Sequence, residues 1–489
     1  MNNKDMNEIL LNLKIDESNK NIVENNVEKI AKKLSEIDPE KDKHKYLTLS
    51  CIFSAFLGDS IGSCCEFSSP SKENHKGIFS KNNYFLPGEV TDDSEMAMSS
   101  AFAYIDAINE NSSRIQDIIY YYFCIWRTTG PKDIGGATSN ALRFWREESI
   151  DETKYNYKMV KALNWESLAN GFLMRISTFI TFYYYTHIDI IYHLIENYFD
   201  SKKEKDDELS KEMLNLFTDI FVESSKNTEI THPNYENGIS SAVFTLLVFV
   251  GMVKKDAKLC YLLFNQISNS KKFIEFNSNS QINRYAEQTQ KKYKIIIDEI
   301  ENKKEISVYN LMGYYLHGFK LSIHFLKKMS EIDVDKEEDL YYRIMCEVCD
   351  YGGDTDTNCA IVGAMIGPLI GYKNFKKELF DTFIRYIPQH RSQFNSAFMY
   401  IYVDYLEKKL LKNEVIKKED NNDEVKDNTS KEEKNEDSAI SKNEKNKEIK
   451  ETEKEKFLWG NSKDGITIGS FKYTALNKIL EFFKNEIII

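Results

Sequence analysis

Along most of the chain, apolar residues recur at the three- and four-residue steps that place them on one face of an α-helix. This spacing covers residues 96–108 and again residues 308–326. Residues 358–371 are almost wholly apolar, with a glycine at every fourth position from Gly363 onward. Such spacing lets another helix approach closely and predicts a central buried helix. Because alternating strand patterns are scarce, the sequence predicts an all-α fold.

The composition agrees with long helices and a large core. Hydrophobic residues make up 42% of the 489 positions and aromatic residues 13%. Only 20 glycines and 7 prolines occur, and few breakers favour long elements over many short strands. The length suffices for one large domain or about two or three ordinary ones.

Polar tracts set the expected domain limits. Residues 1–45 are rich in Asn, Lys and Glu and are predicted to form a polar N-terminal extension, with one peripheral helix near residues 22–37. The compact domain is expected to span residues 46–412, since strongly apolar helical segments begin at residue 46.

Further polar tracts lie inside and after this domain. The charge run 201–212 and the polar residues 268–305 are predicted to be insertions that interrupt the helical pattern. Residues 413–456 contain no aromatic residue, glycine, proline or cysteine, so they are predicted to be a disordered charged linker. Residues 457–489 regain apolar spacing and are expected to return to the main domain as a final helix.

The charge of the chain limits its partners. A formal net charge of −12 and a pI of about 5.4 disfavour a basic nucleic-acid surface, although a local pocket could still take an anionic ligand. The polar N-terminus shows no signal peptide, and the apolar residues 242–253 are too short to span a bilayer. We therefore expect a soluble cytoplasmic monomer without membrane association, a nuclear location also being compatible.

The eight cysteines lack the pattern of a secreted disulfide framework. Several lie in apolar runs, where a reduced cysteine behaves as a small hydrophobic residue. Cys64 and Cys65 are adjacent, and a bridge between them would be strained. The spacing from Cys346 to Cys349 is found in zinc and redox sites, but no second pair accompanies it. Buried free thiols are the favoured interpretation, and a metal or redox role is the alternative.

Two oxygen-rich clusters each precede an apolar helical segment. Each alone fits an ordinary helix N-cap with acids that complement the helix dipole. Together, four carboxylates brought close by folding would repel one another unless cations neutralise them. Carboxylate and hydroxyl oxygens suit Mg²⁺ or Mn²⁺ better than zinc. The residues concerned are Thr91, Asp92 and Asp93 in the first cluster and Asp354, Asp356 and Thr357 in the second.

Other candidate site residues have both a structural and a functional interpretation. Glu66 is either a lone solvated acid or a member of the same site. Ser167 lies near the turn signal Asn170-Gly171, where exposed backbone amides suit a diphosphate, although a plain loop also fits. His232 is the one histidine in a site-like position, and a single histidine is more often structural.

The order of the motifs GDSIGSCCE, TDDS, DIGGATSNAL, ANGFLMR, THP and GGDTDTNCAIVGAMIGPLIG resembles that of the ADP-ribosylglycohydrolase family. The resemblance covers about residues 47–372, and the pairing of GGDTDT with TDD is its most specific part. Glu166 and Ala169 stand where the family often has glycine, and residues 176–178 lack a common proline. These departures bear on which branch of the family, and so which substrate, the chain matches more than on the reaction itself.

The resemblance implies an all-α fold with two Mg²⁺ or Mn²⁺ ions at the base of a cleft. The residues it implies are metal ligands Thr91, Asp92, Asp93, Asp354, Asp356 and Thr357; catalytic residues Glu66, Asp92 and Asp93; and substrate-binding residues Ser167, Asn170, Gly171 and His232. Glu66 could be an acid/base, a ligand or a gate.

Three functions follow as hypotheses. The first is a hydrolase that cleaves the glycosidic bond between ADP-ribose and a protein side chain or related acceptor. The second is a non-catalytic ADP-ribose-binding or structural protein on the same scaffold. The third is a two-metal phosphohydrolase, for which the expected histidine ligands are missing. The expected partner is an ADP-ribosylated protein or a small molecule that contains ADP-ribose.

Overall fold

The structure, a computed structural model, is built from helices. It describes residues 17–80, 84–110, 112–146, 148–200, 209–388 and 391–411. The first nine helices are α1 (Glu17–Glu36), α2 (Lys43–Gly62), α3 (Asp92–Asn109), α4 (Ile115–Thr128), α5 (Gly136–Leu142), α6 (Tyr157–Asn164), α7 (Ile176–Thr186), α8 (Ile188–Asp200) and α9 (Lys211–Thr228). The others are α10 (Tyr235–Lys254), α11 (Ala257–Asn269), α12 (Ser280–Glu301), α13 (Tyr315–Met329), α14 (Leu340–Tyr351), α15 (Thr355–Ile370), α16 (Lys377–Arg385) and α17 (Met399–Leu406). Within the described ranges there is no β-strand, only two isolated bridges, and the expected all-α fold is confirmed.

Helices α2 and α15 form the centre of the molecule and pack against each other along their lengths. Every residue of α15 is buried, as the glycine-stepped pattern predicts. A Cβ atom on Gly363 would lie 2.2 Å from the carbonyl oxygen of Ser54, and one on Gly58 would lie 2.4 Å from that of Cys359. The two backbones therefore meet at a distance that only glycine permits at these points.

The other helices surround this pair. Helix α3 packs against α4 and α7, while α10 packs against α9, α11 and α15. Helix α13 lies against α15 on another side. Among the described residues, α10 is the helix long and apolar enough to cross a membrane, and its most apolar window is 100% buried. Its apolar surface is thus covered by neighbouring helices.

The polar tract 268–305 does not interrupt the helical fold as expected. A short 3₁₀ turn, Lys272–Glu275, leads into the long helix α12. Ala286, Tyr293 and Ile296 are buried on one face of α12, while most of its polar residues face outward. The high polar content hides an apolar stripe with helical spacing, which suffices to bury one face of the helix.

The ends of the chain are described only in part. Helix α1 buries Val27, Ile30 and Leu34 in the main core and packs against α16. Helix α2 begins at Lys43, slightly before the expected start of the compact domain at residue 46. The predicted linker 413–456 and the predicted final helix 457–489 lie outside the described residues.

Candidate metal centre

The N-terminus of α3 is held in place by a buried aspartate from α2. The Asp59 carboxylate accepts hydrogen bonds from the Thr91 backbone N–H, at 3.0 and 3.1 Å, and from the Ser94 N–H at 3.2 Å. The Ser94 hydroxyl also donates to it at 2.5 Å. Because these donors include amides that the helix itself cannot satisfy, Asp59 anchors the start of α3 against α2. This contact orients the two acids that follow Thr91.

The N-terminus of α15 is reached through two glycines with left-handed backbone. Gly352 has φ 67° and Gly353 φ 79°, a region that side chains rarely adopt. The Gly353 N–H donates to the Ser68 carbonyl oxygen at 2.9 Å, and the Phe67 N–H donates to that of Gly353 at 2.7 Å. These bonds join the segment that carries Glu66 to the segment that carries Asp354.

The structure brings the two acidic clusters together. The hydroxyl groups of Thr91 and Thr357 both donate to Asp93 Oδ2, each at 3.3 Å. Carboxylate oxygens of Glu66, Asp354 and Asp356 lie within 4.8 Å of one another. Residues more than 250 positions apart in the chain therefore share one site.

Helix capping accounts for only part of this arrangement. The Thr91 side chain does cap α3, because it accepts from the Asp93 N–H at 3.4 Å. The Asp354 side chain makes no cap on α15 and accepts instead from Asn170 Nδ2 at 2.7 Å. Glu66 and Asp354 are half-buried, whereas Asp93 is only 2% exposed, so the cluster opens to solvent on the side of Glu66.

The carboxylates of the site repel one another in a dry environment. Burial raises the pKa of Asp92, Asp93 and Asp356 well above the usual value, and the neighbouring carboxylates add to the effect. Burial and the charge of Asp354 raise the pKa of Glu66 to about 8. A site of this kind binds either protons or cations.

The donor set fits a hard divalent cation. Asp93 Oδ1 is buried and has no hydrogen-bond partner, which leaves a carboxylate oxygen free to act as a ligand. The converging groups are carboxylates and threonine hydroxyls, and such oxygens are the ligands that Mg²⁺ and Mn²⁺ prefer. Three of the carboxylates, those of Glu66, Asp354 and Asp356, are already grouped closely enough to share an ion.

The loop before α7 lies beside this cluster. The Asn170 N–H donates to the Gly313 carbonyl oxygen at 2.8 Å, and its side chain reaches Asp354. Ser167 is held through its carbonyl oxygen, which accepts from Asn237 Nδ2 at 3.0 Å. Of the predicted residues Ser167, Asn170 and Gly171, Asn170 makes the contact with the acids and bridges the loop and the cluster.

His232 is placed behind this loop and is 1% exposed. A Cβ atom on Gly171 would lie 2.9 Å from its ring carbon Cε1. Its Nδ1 lies 2.8 Å from the Thr231 hydroxyl. Burial and the charge of Arg175 lower the pKa of His232 to about 3, so the ring is neutral. His232 supports Gly171 from inside the protein and does not face the open side of the site.

Two residues of the site carried no sequence signal as site residues. Asp59 lies in the motif that also contains Gly58 and Gly62, but its role as an anchor depends on a partner 32 positions away. Arg175 is buried and donates to the Gly171 carbonyl oxygen and, at 2.9 Å, to the Thr231 hydroxyl. It therefore stiffens the Asn170–Gly171 turn from below.

Comparison with known proteins identifies the family of this chain. Residues 41–389 match the model of the ADP-ribosylglycohydrolase family, and the chain belongs to that family. It is similar to an Acanthamoeba polyphaga mimivirus protein named as an ADP-ribosyl glycohydrolase, L543, with 24% identity over 342 residues, which cover 65% of this chain and 86% of that protein. A solved structure named as an ADP-ribosylglycohydrolase-related protein complex aligns with a TM-score of 0.40 and 14% identity, over 70% of this chain and 97% of that one.

Proposed function

We propose that this glycohydrolase-family chain depends on divalent metal ions and cleaves the glycosidic bond between ADP-ribose and an amino-acid side chain or related acceptor. The observation that carries the proposal is the convergence of the acidic starts of α3 and α15 with Glu66 beside the Asn170 loop. The substrate would be an ADP-ribosylated protein or a small molecule that contains ADP-ribose.

Each part of the site has a distinct task in this reaction. Thr91, Asp92, Asp93, Asp354, Asp356 and Thr357 would hold two Mg²⁺ or Mn²⁺ ions, which supply Lewis acidity and lower the pKa of a water molecule. The turn at Asn170 and Gly171, stiffened by Arg175 and His232, would bind the diphosphate through the Gly171 backbone amide, because the Asn170 amide already donates to Gly313.

Proton transfer completes the hydrolysis. Water adds to the anomeric carbon of the ribose as the bond from that carbon to the acceptor breaks. A carboxylate oxygen of Asp92 or Asp93 would accept the proton that the water loses, and the acceptor takes up a proton as it leaves. Glu66, which is half-buried, would move that second proton.

The test is release of ADP-ribose from a mono-ADP-ribosylated protein by the purified chain. Release should require added Mg²⁺ or Mn²⁺ and stop with a chelator. Asp356→Asn should lower the rate about a hundredfold or more, because it removes a metal ligand. The matched control is Asp298→Asn on the exposed face of α12, which should retain the full rate. Full activity of Asp356→Asn, or indifference to the chelator, contradicts the proposal.

The same assay separates the alternatives. Substrates linked through arginine, through serine and through a poly-ADP-ribose chain, tested side by side, identify the acceptor class. Binding of ADP-ribose without release, with both metals present, would support an ADP-ribose-binding protein instead. Release of inorganic phosphate would support a phosphohydrolase.

A further inference from the structure

A cluster of cysteines adjoins the acidic site along the chain, since Cys65 directly precedes Glu66. The sulfur atoms of Cys64, Cys65 and Cys349 lie within 4.8 Å of one another. Those of Cys64 and Cys65 are 3.6 Å apart. Cys64 and Cys65 follow the end of α2, and Cys349 lies in the last turn of α14. We propose that this thiol trio binds a soft d¹⁰ metal ion, Zn²⁺ or Cu⁺, at a site separate from the acidic cluster.

The sequence spacing pointed to a different pair. Cys346 lies one turn before Cys349 on α14, but it is not part of the trio. The cysteines that lie near Cys349 are instead the adjacent pair Cys64 and Cys65, from a segment almost 300 positions earlier in the chain. The cysteines that could bind a metal ion are therefore brought together by the fold, and no short sequence motif contains all of them.

The two halves of the thiol trio are held together by contacts that do not use sulfur. Asn74 Nδ2 donates to the carbonyl oxygens of Cys349 and Ser69, at 3.1 and 3.0 Å. The Ser71 N–H donates to the Asp350 carbonyl oxygen at 2.9 Å. His75 Nδ1 lies 3.0 Å from both carboxylate oxygens of Asp350. The backbone therefore holds the thiols in place before any ion binds, which lowers the entropic cost of binding.

The spacing of the sulfurs suits a thiolate-bound metal. A metal–sulfur bond of about 2.3 Å in a trigonal site places the three sulfurs roughly 4 Å apart. The 3.6 Å separation of Cys64 and Cys65 and the 4.8 Å limit of the group lie on either side of that value. Cys359 Sγ lies 4.0 Å from Cys349 Sγ but is not within 4.8 Å of all three members of the thiol trio.

The thiol trio and the acidic cluster select different ions. Thiolates favour Zn²⁺ and Cu⁺, whereas carboxylate and hydroxyl oxygens favour Mg²⁺ and Mn²⁺. An excess of Mg²⁺ can therefore fill the acidic cluster while a soft ion enters the thiol trio. Because Cys65 directly precedes Glu66, an ion held by the thiols would also restrain the segment that carries this acid.

The first experiment titrates the reduced, chelator-treated full chain with Co²⁺ in excess Mg²⁺. We expect sulfur-to-cobalt charge-transfer absorption that saturates at about one equivalent and disappears when Zn²⁺ is added. Cys349→Ser should lose this absorption. Cys346→Ser is the matched control on the same helix and should retain it. No charge-transfer absorption, or equal absorption in Cys349→Ser, overturns the proposal.

A second experiment needs no variant and decides the matter if Cys349→Ser does not fold. The wild-type chain is alkylated with a maleimide, and the modified cysteines are mapped by mass spectrometry. Zn²⁺ should slow alkylation of the half-buried Cys64 about tenfold or more and leave that of Cys346 unchanged. Equal rates at Cys64 with and without Zn²⁺ contradict the proposal.

A third arm identifies the ion. The chain is loaded with Zn²⁺ or, without oxygen, with Cu⁺, and each form is challenged with a chelator specific for that ion. The natural ion is the one retained at the lower free concentration. These readouts are independent of hydrolysis, so failure of the glycohydrolase assay would leave this inference standing, and the reverse also holds.

Discussion

At the scale of single residues, Asp59 connects the fold to the chemistry without facing the substrate. It is fully buried and accepts from two backbone amides and one hydroxyl at the start of α3. Since Asp92 and Asp93 lie between Thr91 and Ser94, which carry these two amides, their carboxylates depend on Asp59 for their positions. Asp59 is therefore a positioning residue, distinct from the ligands it orients.

We predict that Asp59→Ala lowers both stability and metal affinity. Three buried donors lose their acceptor, which should cost about 2 kcal/mol or more in the free energy of unfolding measured with urea. The affinity for Mn²⁺, measured by calorimetry, should fall about ten- to a hundredfold, as is typical when an outer partner of a ligand is removed.

The control for this prediction is Asp106→Ala on α3, the helix whose start Asp59 anchors. Asp106 is buried and accepts from the Tyr122 hydroxyl at 2.5 Å, far from the start of α3. Its loss should reduce stability and leave the Mn²⁺ affinity unchanged. Unchanged Mn²⁺ affinity in Asp59→Ala would show that the anchor is not needed to position the acids.

We predict that His232 makes stability depend on pH. Its pKa is about 3 in the folded protein against an ordinary value of 6.5, so between these values the unfolded chain binds the proton more tightly. The contribution of the neutral His232 ring to the free energy of unfolding is therefore fully present above pH 6.5 and is lost as the pH falls towards 3. From pH 7 to 5 the loss should be about 2 kcal/mol.

Urea unfolding at pH 7 and at pH 5 tests this expectation. His232→Gln should lose less stability over this interval than the wild type, because glutamine does not titrate. His193→Gln replaces an exposed histidine and should behave as the wild type does. An equal pH dependence for His232→Gln and wild type would rule out this role of the buried ring.

At the scale of elements, the close packing of α2 and α15 determines where the second acidic cluster lies. A Cβ atom on Gly62 would be 2.3 Å from the Thr355 carbonyl oxygen and 2.6 Å from the Asp356 Cα atom. The last residue of α2 therefore touches the backbone of a ligand-bearing turn. The glycine-stepped helix α15 allows the close approach that its sequence predicts, and Gly62 extends this contact to the start of α15 at the site.

Gly62→Ala should therefore damage the site as well as the fold. The added methyl group forces the start of α15 away, which should cost about 1–3 kcal/mol of stability and weaken Mn²⁺ binding. The control is Gly251→Ala on α10, where the nearest atoms to an added Cβ lie 3.5 Å away on Leu369. That variant should keep both stability and affinity. Wild-type Mn²⁺ affinity in Gly62→Ala would contradict the prediction.

At the scale of the whole molecule, the acidic cluster is a source of instability that a cation bound as we propose would remove. Its carboxylates come from three segments, which end or begin at α2, α3 and α15, and their repulsion opposes the packing of those helices. Under this proposal, metal binding and folding are linked, since the full ligand set exists only in the folded chain.

We predict that Mn²⁺ or Mg²⁺ raises the melting temperature of the chelator-treated chain. At a metal concentration about a hundred times the Kd, the stabilisation should reach about 2.7 kcal/mol. Asp354→Asn should melt at the same temperature with and without the metal, whereas Asp298→Asn should respond as the wild type does. A metal-induced shift that survives in Asp354→Asn would place the ion elsewhere.

Local spacing was enough to predict much of the fold. The all-α class and the buried glycine-stepped helix follow from residues three and four positions apart, which contact one another within a single helix. The two acidic helix starts are likewise local features that the chain displays directly. The tract 268–305 was misjudged because its polar residues outnumber an apolar stripe that becomes evident only once α12 packs on the core.

Only the tertiary structure decided which distant residues meet. Asp59 anchors Thr91, Cys65 joins Cys349, and His232 lies behind Gly171 instead of facing the open side of the site. None of these pairs is set by a repeat or a turn, because the partners lie on segments that are far apart in the sequence. Their distances depend on how closely whole helices pack, and glycines on α2 and α15 permit that closeness.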